Sequence, residues 1–365
     1  MNPNTRRLHE MGQRIWLDNI TRELLRSGTL ARYISDLSVT GLTSNPTIFE
    51  HAIGSSDSYD EAIVRGAAQG LSDEDLFFEL ALQDLTQAAD LFRPMFDSSR
   101  GADGWVSLEV SPLLADYSAN TIKAATRLHA RAARPNLFIK IPGTPEGISA
   151  IEQSIFDGVP INVTLLFSRD HYIAAAEAYL RGIERRVAAG LDPAIESVAS
   201  LFVSRWDVAV KDEMPPKFHN RLGIAVAAQT DKAYRELLDS HRWRKLASAG
   251  ARPQRLLWAS TGTKDPAAQD TLYVEALAAA GTINTMPEKT LLAFADHGHI
   301  GPSLPADGGD SEAVLQEFRQ CGIDDQALAA RLQREGVEAF TSSWSGLMAK
   351  IREKRPQTQT KQALP

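Results

Sequence analysis

The chain of 365 residues has one cysteine, Cys321, so no internal disulfide can form and a reducing compartment is the natural setting. No run of apolar residues reaches the length of a membrane span, and the N-terminal MNPNTRRLHEMGQRIW has no apolar core of signal-peptide length. Charge of one sign is not concentrated anywhere. The 39 basic and 46 acidic residues are interspersed and leave a formal net charge of -7. That balance gives no reason to expect nucleic acid as a partner, although a few local cations could still gather a small anion. There is no glycine-rich nucleotide-binding turn, no low-complexity linker and no short internal repeat. These absences point to a soluble, cytoplasmic protein that spans no membrane.

What is present is a long alternation of short apolar strands and longer helical patterns. Eight segments read as strands: RIWLDNI, VTGLTSNP, GWVSLEVSP, NLFIKIPG, VPINVTLLF, ESVASLFVSR, RLLWAST and TINTMP. Eight such units predict a (β/α)8 TIM barrel with extra helices, and a doubly wound open sheet is the less fitting alternative. Polar residues stand near the carboxyl end of each strand: Asp18, Asn45, Glu109, Lys140, Thr164, Ser200, Ser260 and Asn284, separated by 27, 64, 31, 24, 36, 60 and 24 residues. Most of these intervals match one βα unit of roughly 30 residues. The two long ones need insertions. Residues 72–96 read as an extra helix capped by Ser72 or Asp73, and residues 207–222 as a proline-bearing excursion. Further helices are expected over 306–354. The reading is one barrel domain over residues 1–351, with a polar tail, 352–365, hanging free.

Polar residues at strand ends of a barrel converge on one pocket, so they are read together. Lysine with a carboxylate and hydroxyls is the equipment of imine chemistry, in which a neutral amine attacks a carbonyl and the cationic imine drains electrons from an adjacent C–C bond. Lys140 lies in NLFIKIPG, where Leu137, Ile139 and Ile141 share one face and Phe138 and Lys140 the other. An unperturbed lysine is only about 0.04% neutral at pH 7. Burial raises that fraction, and an ionised Glu109 nearby would lower it, so Glu109 is expected to act mainly through a water. Taken alone, Lys140 reads more readily as half of a buried ion pair with Glu109. Asp18 and Asn45 could be helix caps, and Thr164 and Ser200 ordinary strand residues. FADHGHIG places Asp296, His297 and His299 close together, but at no strong zinc spacing; a helix end with Gly298 as cap fits better.

Six stretches, in order, resemble the transaldolase family from about residue 10 to residue 350. They are WLDN, VTGLTSNPTIF, VSLEVSP, NLFIKIPGTPEG, INVTLLFS and NTMPEKTLLAFADHG. The resemblance implies a (β/α)8 barrel circularly permuted relative to other class I aldolases, working without metal or organic cofactor. It implies transfer of a dihydroxyacetone unit from sedoheptulose 7-phosphate to glyceraldehyde 3-phosphate in the non-oxidative pentose phosphate pathway. It places the Schiff-base lysine on Lys140, the acid/base aspartate on Asp18, the glutamate on Glu109 and the water-holding threonine on Thr164. Asn45 and Ser200 would hold the three-carbon fragment, and Arg205 would bind phosphate. The chain departs from the pattern at the second phosphate ligand. Many relatives carry an arginine two residues after the serine of the seventh strand, where Gly262 follows Ser260 here; Lys264 is the nearest cation. Ser204 stands where the family has a glycine.

Three rivals remain at this stage. A fructose 6-phosphate aldolase would release dihydroxyacetone, but that group tends to carry tyrosine where this chain has Phe202. A barrel that binds sugar phosphates without turnover would be expected to lack the lysine or the aspartate. A metal-dependent isomerase would have to use Asp296 and the two histidines. Sugar phosphates are the expected partners, and the sequence leaves a homo-oligomer open.

Overall fold

The computed structural model describes residues 1–355. Its eight parallel strands close on themselves in sequence order: β1 Arg14–Asp18, β2 Val39–Thr43, β3 Trp105–Glu109, β4 Leu137–Pro142, β5 Ile161–Leu166, β6 Ser197–Phe202, β7 Gln254–Ala259 and β8 Ile283–Met286. Each coincides with one of the eight segments read from the sequence. Alternation explains the match: Leu137, Ile139 and Ile141 turn outward onto the helices, where all three are fully buried, while Phe138 and Lys140 turn into the barrel. Among the described residues no helix is long and apolar enough to cross a membrane.

The barrel interior is filled from below by aromatic rings. Trp105 stacks on Phe138 with ring centroids 4.0 Å apart, and Trp16 lies 6.1 Å from Phe138. Gly41 on β2 makes this layer possible, because a Cβ there would sit 2.7 Å from the Trp16 ring and from the Trp105 carbonyl. Gly41→Ala is therefore expected to lower the unfolding free energy by about 1–3 kcal/mol, as overpacked cores do. A urea titration checks this, and an unmoved midpoint would mean that the Trp16 ring yields freely. At the amino end of the strands, Arg14 and Arg255 close on Asp103 at 2.8 and 3.4 Å. Aromatic rings and ion pairs thus seal one mouth and leave the carboxyl end as the open one.

The first insertion is a helix, Asp73–Ser98, with Ser72 accepting from the Asp75 amide and three acidic residues in its first turn. It is tied to the barrel by Asp84, which receives Arg22 at 2.9 Å and the Tyr59 hydroxyl at 2.8 Å. The second insertion is a short helix, Ser204–Val210, followed by a 3-10 turn, Pro216–Phe218. After β8 come the helices Glu288–His297, Ser311–Gln320 and Asp325–Lys354. Gly298 does cap the first of these, but in extended rather than left-handed backbone; glycine is required there because a Cβ would strike the Phe294 ring at 2.2 Å. The C-terminal helix, Asp325–Lys354, runs through the first residues of the expected free tail. Arg352 and Arg355 both bond Asp73, so residues 352–355 pack on the barrel's inserted helix. The rest of the expected tail lies outside the described residues. The N-terminal residues, in which the sequence showed no element, form a helix, Pro3–Met11, capped by Asn2.

Candidate active site

At the carboxyl mouth a cavity of about 260 Å³ is lined by residues from seven of the eight strands or the segments that follow them, together with Phe340. Its floor is Lys140, which is 4% exposed. The Nζ atom donates to the Glu109 carboxylate at 3.2 Å and to the Ser44 carbonyl at 3.2 Å. β3 and β4 place the pair side by side, since Glu109 and Lys140 are register partners. The direct contact differs from the water-mediated one expected from the sequence. It is a buried ion pair, yet one whose lysine opens on a cavity.

The electrostatics of the pair bear on how the amine could lose its proton. Burial pushes the Glu109 carboxyl above its usual range, with the Lys140 charge opposing and Asp18 reinforcing the rise. Burial likewise raises Asp18, opposed by Lys140, the Thr43 hydroxyl and Lys264. Desolvation thus disfavours the charged form of both carboxyls that flank the Lys140 amine.

Asp18 ends β1 and is no helix cap; Thr21 performs that duty for the following helix. The Asp18 carboxylate accepts from Thr43 Oγ1 at 2.7 Å, and Thr43 in turn shares a hydrogen bond with Thr285 at 2.7 Å. Thr164, register partner of Pro142 on β4, is fully buried, lines the cavity and has a hydroxyl without a protein partner. A buried unpartnered hydroxyl facing a cavity is where a bound water or substrate oxygen completes the hydrogen bonding. Ser200 lines the cavity and donates to Asn162 Oδ1 at 2.7 Å, and Asn162 donates to Ser107 at 3.1 Å. Asn45 does cap the helix Pro46–Gly54, its oxygen accepting from the Ile48 amide at 3.0 Å. Asn45 also lines the cavity.

Cations stand together at the rim. Arg205 and Lys264 both line the cavity, and neither forms an ion pair among the described residues, whereas most arginines of this chain do. Arg205 lies over the Phe202 ring, 5.2 Å from its centroid, and burial lowers its pKa against the nearby Glu335 charge. Ser260 takes a left-handed backbone, φ 55°, and its hydroxyl meets that of Ser204 at 2.9 Å. Lys264 lines the cavity, as does Gly262 two residues before it, so a cation stands at the wall despite the shift from the expected arginine position. Asp18, Asn45, Lys140, Thr164, Ser200, Phe202, Arg205, Ser260 and Lys264 meet here; Glu109, behind Lys140, and the fully buried Asn284 do not line the cavity themselves.

Some lining residues had no signal in the sequence. Thr43, Thr47 and His51 come from the second unit, Thr285 from the last, and Phe340 from the C-terminal helix. Asp296, His297 and His299 lie elsewhere: His297 is exposed and held by Asp270 at 2.9 Å and Asp296 at 3.1 Å, and the His299 amide bonds Glu275. None of them lines the cavity.

A closed parallel barrel whose fourth strand presents a buried lysine to an open carboxyl-end cavity defines a (β/α)8 enzyme of the lysine-dependent kind. The chain belongs to the Transaldolase/Fructose-6-phosphate aldolase family, whose model matches residues 15–351. It is 44% identical to a transaldolase of Parafrankia sp. (strain EAN1pec) over 95% of this chain and 96% of that protein. A transaldolase of Thiobacillus denitrificans is 43% identical over 95% of this chain and 99% of its own. One of Saccharopolyspora erythraea is 43% identical over 98% and 99%.

Proposed function

We propose that this protein is a transaldolase that moves a dihydroxyacetone unit from sedoheptulose 7-phosphate to glyceraldehyde 3-phosphate through an imine on Lys140, within the cytoplasmic pentose phosphate pathway. The observation that carries the reading is the Lys140–Glu109 pair opening on a cavity that also holds the unpartnered Thr164 hydroxyl. Neutral Lys140 adds to the ketose carbonyl. Thr164 and Glu109 then manage the water that leaves as the carbinolamine collapses to the cationic imine. Asp18 takes the proton from the C4 hydroxyl while the C3–C4 bond breaks and its electrons pass into the imine. Asn45 and Ser200 hold the remaining enamine until an acceptor aldehyde enters, and Arg205, Ser260 and Lys264 receive the phosphate end of the sugar. Nothing in this scheme uses metal, organic cofactor, nucleic acid or membrane.

Borohydride reduction in the presence of fructose 6-phosphate tests the scheme. A reduced three-carbon adduct on Lys140, located by intact mass and peptide mapping, is the expected result. A folded protein that yields no adduct would overturn the imine mechanism and return Lys140 to the role of a structural ion pair.

Transfer rather than release is favoured by Phe202, whose phenyl ring lines the cavity and has no hydroxyl with which to orient water on the enamine. Phe202→Tyr is expected to raise the yield of free dihydroxyacetone relative to transferred product. Both products can be measured in one reaction, and an unchanged ratio would count against this account of Phe202.

A further inference from the structure

We propose that Phe340, on the C-terminal helix, is a specificity-determining residue that keeps a proton-donating water from the enamine on Lys140 and so holds the reaction to transfer; the inference rests on the imine reading above. The Phe340 ring is 5% exposed, lines the same cavity as Lys140, and has its centroid 5.6 Å from Nζ. It presents an aromatic face to that nitrogen, whose hydrogen-bond partners are the Glu109 carboxylate and the Ser44 carbonyl. A ring at this distance stabilises a cation and fills with carbon the space from which a water could approach.

The helix is built to hold the ring there. Two turns before Phe340, Gln333 sends its amide to the Gly143 carbonyl at 3.0 Å and the Leu165 carbonyl at 2.9 Å, gripping the ends of β4 and β5. Leu165 has a left-handed backbone, φ 59°, at the β5 irregularity just beyond Thr164, so its carbonyl is turned out of the ladder and needs this donor. Gly336 allows the close approach: a Cβ there would lie 2.9 Å from the Leu165 side chain and 3.4 Å from Arg205. One turn after the ring, Ser343 bonds Thr47 at 2.8 Å. Contacts on both sides thus fix a residue that is distant in sequence directly over the reacting nitrogen.

The consequence follows from how an enamine escapes. Release requires the enamine carbon to take a proton, giving the iminium cation. Water then adds to the iminium carbon, the C–N bond breaks, and dihydroxyacetone leaves Lys140 as an ammonium. Transfer requires instead that the enamine carbon attack an aldehyde before it is protonated; the lengthened ketose then leaves Lys140 by the same hydrolysis of its iminium, so the two branches part at the enamine carbon. A ring beside the nitrogen slows the release branch by keeping a proton-donating water from that carbon, whereas the acceptor enters from the rim where the cations lie.

Phe340→Leu keeps an apolar side chain of smaller size and removes the ring. With fructose 6-phosphate as donor and erythrose 4-phosphate as acceptor, the variant is expected to raise the ratio of free dihydroxyacetone to transferred product about tenfold, while borohydride still traps Lys140. Should Phe340→Leu fail to fold, Phe340→Met is read in the same way. A residue with only a structural role would lower both products together and leave the ratio in place, and that result overturns the inference while sparing the imine. A wild-type protein that gives no borohydride adduct overturns both.

Discussion

Lys140→Met is expected to reduce transfer by a factor of about 10⁵ or more, because the variant retains the length and apolar stem of lysine but has no atom able to form the imine. The borohydride adduct should vanish with the activity. Residual transfer above about 1% of wild type would sink the role of Lys140 as nucleophile, since no other step can recover a lost covalent path. The same substitution has a second, separable effect. It leaves Glu109 buried without its cation, and breaking a buried pair in this way costs about 3–5 kcal/mol when the remaining group stays charged. Glu109 has an alternative. Burial already pushes its carboxyl upward and Lys140 is the largest force holding it down, so the variant should carry Glu109 protonated. A carboxyl whose folded pKa lies above its unfolded value binds more protons when folded, so the stabilisation is complete below the unfolded pKa and is lost as pH rises through the folded one. The Lys140→Met protein should therefore lose thermal stability relative to wild type as pH rises above about 4. Adding Glu109→Gln should flatten that dependence without restoring activity.

The barrel was legible because each strand carries its own signal. In FIKIP and INVTLLF the outward residues are apolar without exception, and the polar residues that break the pattern, Lys140, Asn162 and Thr164, are those the barrel turns inward. Asp18 and Glu109 were legible for the same reason, standing at the carboxyl ends of β1 and β3. What could not be read were contacts between elements far apart in the chain. Phe340 lies in a helix whose buried positions include Leu332, Trp344 and Leu347 as well, and nothing in its local pattern separates the ring that meets Lys140 from rings that merely pack. Thr43 and Thr285 look like ordinary strand residues until barrel closure brings β1, β2 and β8 together around Asp18. The Lys140–Glu109 contact fell between these cases: adjacency of β3 and β4 was readable, but whether a water stood between the side chains depended on a register that composition does not set.

Asp18→Asn separates the two halves of the chemistry. The carboxylate oxygen that accepts from Thr43 can be replaced by an amide oxygen in the same place, so the local hydrogen bond survives. An amide cannot take the C4 hydroxyl proton, however, and loss of a positioned general base lowers the cleavage step by about 10²–10⁴. Lys140 and Thr164 are untouched, so imine formation should continue. The diagnostic result is the identity of the trapped species: borohydride should reduce an adduct that retains the whole six-carbon sugar phosphate, where the wild type yields the three-carbon remnant. The pH profile supplies an independent check. Cleavage needs Asp18 ionised, and burial raises its pKa despite the opposing charges of Lys140 and Lys264. Wild-type cleavage should accordingly fall on its acid side at a pH above the usual aspartate value of about 3.9, and the Asn variant should lack that limb. A variant that still accumulated the three-carbon adduct at the wild-type rate would move the general base elsewhere, and Glu109, 3.2 Å from the same nitrogen, would be the next group to substitute.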